Sequence, residues 1–355
     1  MLSPERFGRI MKGTERGFSA WLWRRLFRLV LPWYVAVVAR RNRQFDEQES
    51  RGEIFHAGVP TLSVGNLTLG GTGKTPMVLY LAEFFLRHGR KTAILSRGYR
   101  RGKGMRWNDE GLEIARRLPD VRQFQHPDRV KSACEAVAGG AEILLLDDGF
   151  QHRKLARDGN LLLVDASAPL GINGQIFPMG TLREAVSGIR RADGVILTHA
   201  EQLSEVRRDA LREEWRLRYR LPETFLWAET VHRPVVWETL EGKTLPLDTF
   251  SGRDVGIFSA IATPEHFHQT VASLGISCTW TKIFPDHHRY TRSEMADLFR
   301  WGKSHRLEAL LCTGKDLGKI VVGEEDSLPI FSLRMELSFL RGEKEFQSWL
   351  ERFLS

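Results

Sequence analysis

The residues with the clearest chemical reading are Lys74 and Thr75. They close the run Thr61-Leu-Ser-Val-Gly-Asn-Leu-Thr-Leu-Gly-Gly-Thr-Gly-Lys-Thr-Pro, in which an apolar stretch enters a glycine-rich turn that opens a helix. A turn of this kind suits phosphate. Glycines let backbone N–H groups converge without a Cβ clash, and the helix N-terminus adds positive potential. Thr68, Leu69, Gly70, Gly71, Thr72, Gly73, Lys74 and Thr75 would form the cradle. Lys74 would reach the β- and γ-phosphates of a nucleotide, and the Thr75 hydroxyl would bind Mg2+. Thr68 stands where the strict pattern G-x-x-x-x-G-K-[ST] begins with glycine, so one position departs from it. A chance glycine-rich turn is the competing reading.

A nucleotide site of this type also needs a carboxylate at a strand end for the metal. Leu144-Leu-Leu-Asp-Asp-Gly supplies two, Asp147 and Asp148, directly after an apolar run. The turn does not name the reaction. Partitioning and metal-insertion ATPases carry a lysine immediately before the double glycine, where Leu69 stands here. A nucleotide switch would need N-K-x-D or T-K-x-D, and Thr313-Gly-Lys-Asp has the wrong spacing.

The elements that must hold these residues follow from short apolar runs. Strands are expected at 61–64, 92–96, 142–147, 160–165 and 194–198, with helices near 74–88, 130–138 and 204–219. Apolar strands without polar alternation, separated by helices, indicate a parallel sheet covered on both faces, with ligands at the carboxyl ends of its strands. A second set follows: strands at 225–232, 255–259, 278–284, 309–312 and 330–333, and helices near 264–274, 293–303 and 344–353. The expected organisation is an α/β P-loop NTPase-like domain over 46–223, its parallel sheet covered by helices on both faces, and a smaller α/β domain over 224–355, with the cleft between them as the default catalytic site. A length of 355 residues fits two domains.

Residues 1–45 hold ten Lys and Arg against two acids, the whole net excess of +8; the other 310 residues carry 42 of each sign. The basic balance is therefore one segment and not a nucleic-acid-binding face. Wound as a helix, Trp21, Leu22, Leu26, Leu29 and Val30 share a face, with Arg24, Arg25 and Arg28 largely opposite. The longest uncharged stretch, 29–39, is eleven residues and contains Pro32, whereas a spanning helix needs about 20 apolar residues. Arginines beside Trp21, Trp23 and Trp33 suit a helix lying in the surface of an anionic membrane. The alternative is an amphipathic helix packed on its own domain. A polar linker is expected over 42–58. Three scattered cysteines, Cys134, Cys278 and Cys312, argue against a disulfide framework and point to a reducing compartment.

Several fragments together resemble the tetraacyldisaccharide 4'-kinase family, lipid A pathway enzymes that phosphorylate a membrane-embedded acylated glucosamine disaccharide. They are Val64-Gly-Asn-Leu-Thr with Gly70-Gly-Thr-Gly-Lys-Thr-Pro, Leu95-Ser-Arg-Gly-Tyr, Pro127-Asp-Arg, Leu146-Asp-Asp-Gly-Phe-Gln-His-Arg-Lys-Leu, Gly180-Thr-Leu-Arg-Glu, Arg191-Ala-Asp, Phe284-Pro-Asp-His-His and Thr313-Gly-Lys-Asp. Gly314 departs from the family, which is expected to carry Glu or a similar residue there. The resemblance implies transfer of the γ-phosphate of ATP, with Mg2+, to the 4'-hydroxyl of an acylated glucosamine disaccharide 1-phosphate, giving lipid IVA for lipopolysaccharide. It implies a monomer held peripherally at the cytoplasmic face of the inner membrane by an N-terminal helix over 18–40.

By the same resemblance Asp128 is the catalytic base, helped by His287, and Glu184 joins Thr75 and the Asp147-Asp148 pair at the metal. Taken alone, Asp128 reads as a helix N-cap after Pro127, and Glu184 as a surface carboxylate at a helix start. Asp286-His287-His288 suggests a metal pair, yet adjacent histidines on an extended segment point to opposite sides. Arg97, Tyr99 and Arg100 in the basic loop after the second strand, with His152, are candidate contacts to the acceptor; a solvated basic loop is the other reading. A second function class remains open at this point: a membrane-associated P-loop NTPase acting as a switch or partner-binding module.

Overall fold

The computed structural model describes residues 4–98, 107–261, 263–286, 288–320 and 328–354. In chain order the first elements are α1 (Pro4–Lys12), α2 (Phe18–Ser50), β1 (Thr61–Asn66), α3 (Lys74–Arg87), β2 (Thr92–Ser96), α4 (Asp109–Arg117), β3 (Arg122–Gln125) and α5 (Arg129–Ala138). Next come β4 (Ile143–Asp147), β5 (Gly159–Asp165), β6 (Gly194–Thr198), α6 (Glu205–Tyr219), β7 (Leu226–Glu238), β8 (Thr244–Leu245) and β9 (Val255–Ser259). The chain closes with α7 (Pro264–Ser273), β10 (Trp280–Ile283), α8 (Arg292–Ser304), β11 (Ala309–Thr313), α9 (Gly314–Leu317), β12 (Ile330–Arg341) and α10 (Glu343–Glu351). Two compact units result. The first draws its described residues from Met1–Arg97, Asp120–Val231 and Ser338–Ser355, the second from Gly98–Pro119 and His232–Leu337.

The first unit is built on a parallel sheet in the order β7-β6-β5-β1-β4-β2-β3. Strands β1, β4 and β6 are buried along their whole length, as apolar strands covered on both faces must be. Register places Val64, near the end of β1, beside Asp147 at the end of β4. The two strand ends are drawn together by glycines. A Cβ on Gly65 would lie 2.6 Å from the Phe150 backbone nitrogen, and one on Gly149 would lie 2.6 Å from Ser63 Oγ. Strand β3 escaped the sequence reading because Arg-Gln-Phe-Gln is a polar edge with no apolar run.

The unit boundaries differ from the expected 46–223 and 224–355 in three places, the first being the start of β7, which falls in the first unit as far as Val231. The end of β12 and α10 join the first unit, because Phe339 and Phe346 close on Tyr80 of α3 at 5.3 and 5.9 Å, and the Trp349 ring fills the space beside Gly159. Helix α4 joins the second unit. There the buried Lys319 ammonium meets Asp109 at 3.3 Å and Arg116 meets Glu238 at 2.8 Å.

The second unit has its own parallel strands in the order β10-β9-β11-β12. Its Thr313-Gly-Lys-Asp segment is a structural knot. Asp316 is wholly buried and accepts hydrogen bonds from the Ala260 amide (3.0 Å), the Tyr290 hydroxyl (3.1 Å) and the Thr313 hydroxyl (2.6 Å). His288 is likewise committed, stacked on Phe284 at 5.2 Å and paired with Glu294 at 3.0 Å. Among the described residues no group of three or more His, Cys, Asp or Glu could hold a metal ion; His287, the other histidine of the suggested metal pair, lies outside the described residues.

Helix α2 runs without a break to Ser50, through Pro32, so the expected linker from 42 is helical over its first nine residues. One side packs on its own unit: Trp23 and Phe27 join Phe7, Ile10 and Ile172, and Tyr34 meets Phe177 at 5.5 Å. The side carrying Phe18, Trp21, Leu22, Leu29 and Trp33 stays exposed, Leu29 by 78% and Trp33 by 68%. Arg25 is not opposite that side as expected but lies over the Trp21 ring at 5.4 Å. No helix among the described residues is long and apolar enough to cross a membrane.

Substituting Gly65→Ala should cost about 1–3 kcal/mol, because the new methyl collides with backbone that cannot move aside. A lowered urea midpoint measures it; an unchanged midpoint would show that β1 and the Gly149–Phe150 turn are not in close contact.

Candidate functional site

The glycine-rich turn leaves β1 and enters α3. Gly73 caps α3 in the left-handed region (φ 77), with no side chain closing the helix end, and Gly70 is also left-handed (φ 121). A Cβ on Gly70 or Gly71 would meet nothing within 4 Å, so the turn faces open space beside uncapped helical N–H groups. That is the shape and polarity an anion requires. The loop is held from behind. The Leu69 amide donates to Thr181 O (2.7 Å), Asn66 Nδ2 to Thr68 O (2.9 Å) and Thr198 Oγ1 to Thr72 O (3.2 Å). Thr72 and Thr75 are both buried. Lys74 Nζ donates to Asn66 Oδ1 at 3.2 Å and lies 3.6 Å from Asp148.

Asp147 ends β4 and is buried; Asp148 follows in the left-handed region (φ 53). Arg183 Nη1 donates to both Asp148 oxygens at 2.9 Å. Burial would raise the Asp148 carboxyl, but the Lys74 ammonium and the Arg183 guanidinium outweigh it and hold the group below the usual carboxylate range. Asp147 and Thr75, both buried, carry oxygen atoms of the hard kind that suits Mg2+ together with phosphate oxygens. Glu184 is not a surface carboxylate. It is 1% exposed and accepts from Arg191 Nη2 (2.8 Å), Asn42 Nδ2 (2.9 Å) and Gln151 Nε2 (3.1 Å).

Through Glu184 and its neighbours, α2 is tied to the loop. The Tyr34 hydroxyl donates to Arg183 O at 3.1 Å, and the buried Arg153 guanidinium meets Asp46 and Glu49, each at 2.7 Å. Gln151 Nε2 also donates to Asn66 O at 2.9 Å, and Gln151 Oε1 accepts from Arg183 at 3.2 Å.

Asp128 is the N-cap of α5, accepting from the Val130 and Lys131 amides at 3.0 and 3.3 Å. It is exposed, and the Lys131 amide, against a small desolvation cost and with help from the Val130 amide, holds its carboxyl below the usual range. Both readings of this residue thus survive, since a cap uses one oxygen and leaves the other toward solvent. Arg97 directly follows β2 and is exposed. Tyr99, Arg100 and His287 lie outside the described residues. His152 sits in the turn after Asp148, its amide donating to Gly149 O at 2.9 Å. Burial, and then the nearby Arg129 charge, push it down to about 4.

Four residues of this cluster were not singled out from sequence: Asn66, Arg129, Gln151 and Arg183. Each lies inside a motif already quoted, so the signal was present without a role. Asn42 carried no signal, because it fell in a stretch that reads as linker.

The chain was compared with known proteins. The tetraacyldisaccharide-1-P 4'-kinase family matches residues 23–355. The tetraacyldisaccharide 4'-kinase of Elusimicrobium minutum is 36% identical over 319 residues, covering 84% of this chain and 83% of its own. That of Chlamydia abortus is 33% identical, covering 92% and 89%. A crystal structure of LpxK from Aquifex aeolicus in complex with ATP superposes with a TM-score of 0.72 at 28% identity, covering 92% of this chain and 99% of that one.

His152 supplies a pH test. Its folded-state value of about 4 lies below the unfolded value of about 6.5, so between those limits the unfolded chain binds the extra proton and stability falls as the pH is lowered. His152→Gln should therefore lose less melting temperature than the wild type between pH 7 and pH 4.5. Parallel melting curves would remove His152 from the neutral, buried state assigned to it.

Proposed function

The chain belongs to the tetraacyldisaccharide-1-P 4'-kinase family, and on that premise we propose how its residues carry the γ-phosphate of ATP to the 4'-hydroxyl of an acylated glucosamine disaccharide 1-phosphate. The observation that carries the reading is the open, uncapped turn at Gly70–Gly73 with Lys74, Asp148 and Arg183 linked beside it. The switch alternative is not favoured, because the chain lacks guanine-reading spacing and belongs to a kinase family.

The turn binds the β- and γ-phosphates through backbone N–H groups, and Lys74 exchanges its contact with Asp148 for phosphate oxygens. Thr75 and the Asp147-Asp148 pair would hold Mg2+, which when bound neutralises charge on the phosphates. Glu184 would join them only by giving up Asn42 or Gln151. Asp128 accepts the hydroxyl proton as the sugar oxygen attacks phosphorus and ADP leaves, with His287 as its partner. A carboxylate held below its usual range is a weak base in water. It is nonetheless ionised throughout the neutral range and able to orient the hydroxyl, which is most of what a loose phosphoryl-transfer transition state needs.

The acceptor is reached from a membrane surface. The exposed Phe18, Trp21, Leu22, Leu29 and Trp33 side of α2, rimmed by Arg25, fits a helix lying at the headgroup level of an anionic leaflet. The cytoplasmic leaflet is where ATP is available. Arg97, Tyr99, Arg100 and His152 are assigned to the acceptor, and the protein is assigned as a monomer.

Two experiments test this. Asp128→Ala and His287→Ala should each lose at least about 10²-fold in turnover with ATP binding kept; near-normal turnover in either removes the pair from the mechanism. Replacing Trp21, Leu29 and Trp33 together by Ser should lower co-sedimentation with anionic vesicles at least about tenfold, since each loses buried apolar area. Unchanged sedimentation would end the membrane assignment while leaving the kinase reading intact.

A further inference from the structure

Two arginines of the first unit are almost wholly buried, Arg129 (5% exposed) and Arg153 (3%). Arg153 is matched by Asp46 and Glu49. Arg129 is not: among the described residues no carboxylate forms an ion pair with it. Among the described residues its hydrogen bond is a long one, 3.4 Å from Nη1 to Pro127 O, and its Nε is buried with no acceptor. An unmatched buried guanidinium is expensive to fold, whereas replacing it with an apolar side chain is often harmless or stabilising. A charge kept on such terms awaits an anion.

Topology says where that anion would lie. Strands β1, β4, β2 and β3 are neighbours in that order and all parallel, so their carboxyl ends form one row. The row presents the phosphate turn after β1, Asp147 and Asp148 at β4, Arg97 at β2, and Asp128 with Arg129 after β3. The charges of Asp148, Arg97 and Asp147 all act on Arg129. His152 Nε2, also buried without a partner, lies within reach of the same charge.

We propose that Arg129 is a further catalytic residue, its buried guanidinium binding phosphate oxygens at the carboxyl end of β3 beside Asp128. The planar fork of arginine suits two oxygens of one phosphate, which a lysine ammonium cannot match. Two phosphates take part under the preceding reading, on which the inference rests: the group being transferred and the one at the acceptor's other end. Either would be drawn to the same fork.

The test uses the full-length protein, vesicle-borne lipid disaccharide with and without its 1-phosphate, and Arg129→Met with Arg129→Lys. Wild-type protein must first transfer label from γ-labelled ATP; failure there sinks the kinase reading and not Arg129 in particular. Given wild-type transfer, Arg129→Met should melt at or above the wild-type temperature without ligand, while kcat/KM falls at least about 10²-fold. Arg129→Lys should fall between the two. A loss confined to kcat, equal on both acceptors, assigns the fork to the transferring phosphoryl group. A raised acceptor KM, seen only when the 1-phosphate is present, assigns it to the acceptor. If the folded variants act within threefold of wild type on both acceptors, or Arg129→Met loses melting temperature and activity only in proportion, the proposal is overturned.

Discussion

Asp148 lies between Lys74 and Arg183, 3.6 Å from one cation and 2.9 Å from the other. This cluster determines what the surrounding elements must do. A carboxylate and two cations taken partly out of water are stable only in good geometry with their remaining valences met. The geometry comes from two glycines, Gly65 and Gly149, that let β1 and the turn after β4 touch backbone to backbone. The remaining valences are met by Asn66 and Gln151, which bridge the same two segments. With no phosphate bound, Asp148 acts as the counter-ion; with phosphate bound, the cations have a second anion to share.

The same residues connect the loop to the N-terminal helix. Arg183 touches Asp148 with its side chain and Tyr34 with its carbonyl, and Glu184, the next residue, touches Asn42. A helix whose outer side offers tryptophan and leucine to an apolar surface is therefore hydrogen-bonded, on its inner side, to residues one contact from the phosphate turn. Of the two readings of this helix, packing on its own unit is met by its inner side, and the membrane contact proposed for it would use the side left exposed. Trp23, Phe27 and Tyr34 pack inward, while Trp21, Leu29 and Trp33 remain outside.

Buried charge separates framework from function in the first unit. Arg153, matched by two carboxylates of α2, is framework. In the second unit Asp316, with three donors, does the same work for the Tyr290 segment. Arg129 has no such match among the described residues, and it stands in the row of strand ends that also carries the glycine-rich turn and the acidic pair. Desolvation acts on all three groups; the partners of Arg153 and Asp316 offset it, whereas at Arg129 it outweighs the charges of Asp148 and Asp147.

By itself the sequence determined the parallel α/β class, the glycine-rich turn between β1 and α3 and the acidic pair after β4, because these depend on local signals: apolar runs, glycines at fixed offsets and charges at strand ends. The long motif from Leu146 to Leu155 brought the family within reach, since the turn, the counter-ion and Gln151 are close together in the chain. What only the tertiary structure decided were relations between distant positions. Phe339 and Phe346 return to Tyr80 and so move the chain's end into the first unit. Glu184 became a buried junction because Asn42, 142 residues away, reaches it. Arg129 was legible as a letter in Pro-Asp-Arg, but not as an unmatched charge. Whether a charge has a partner depends on which strands lie side by side, and strand order is set by packing of the whole sheet and not by any one segment.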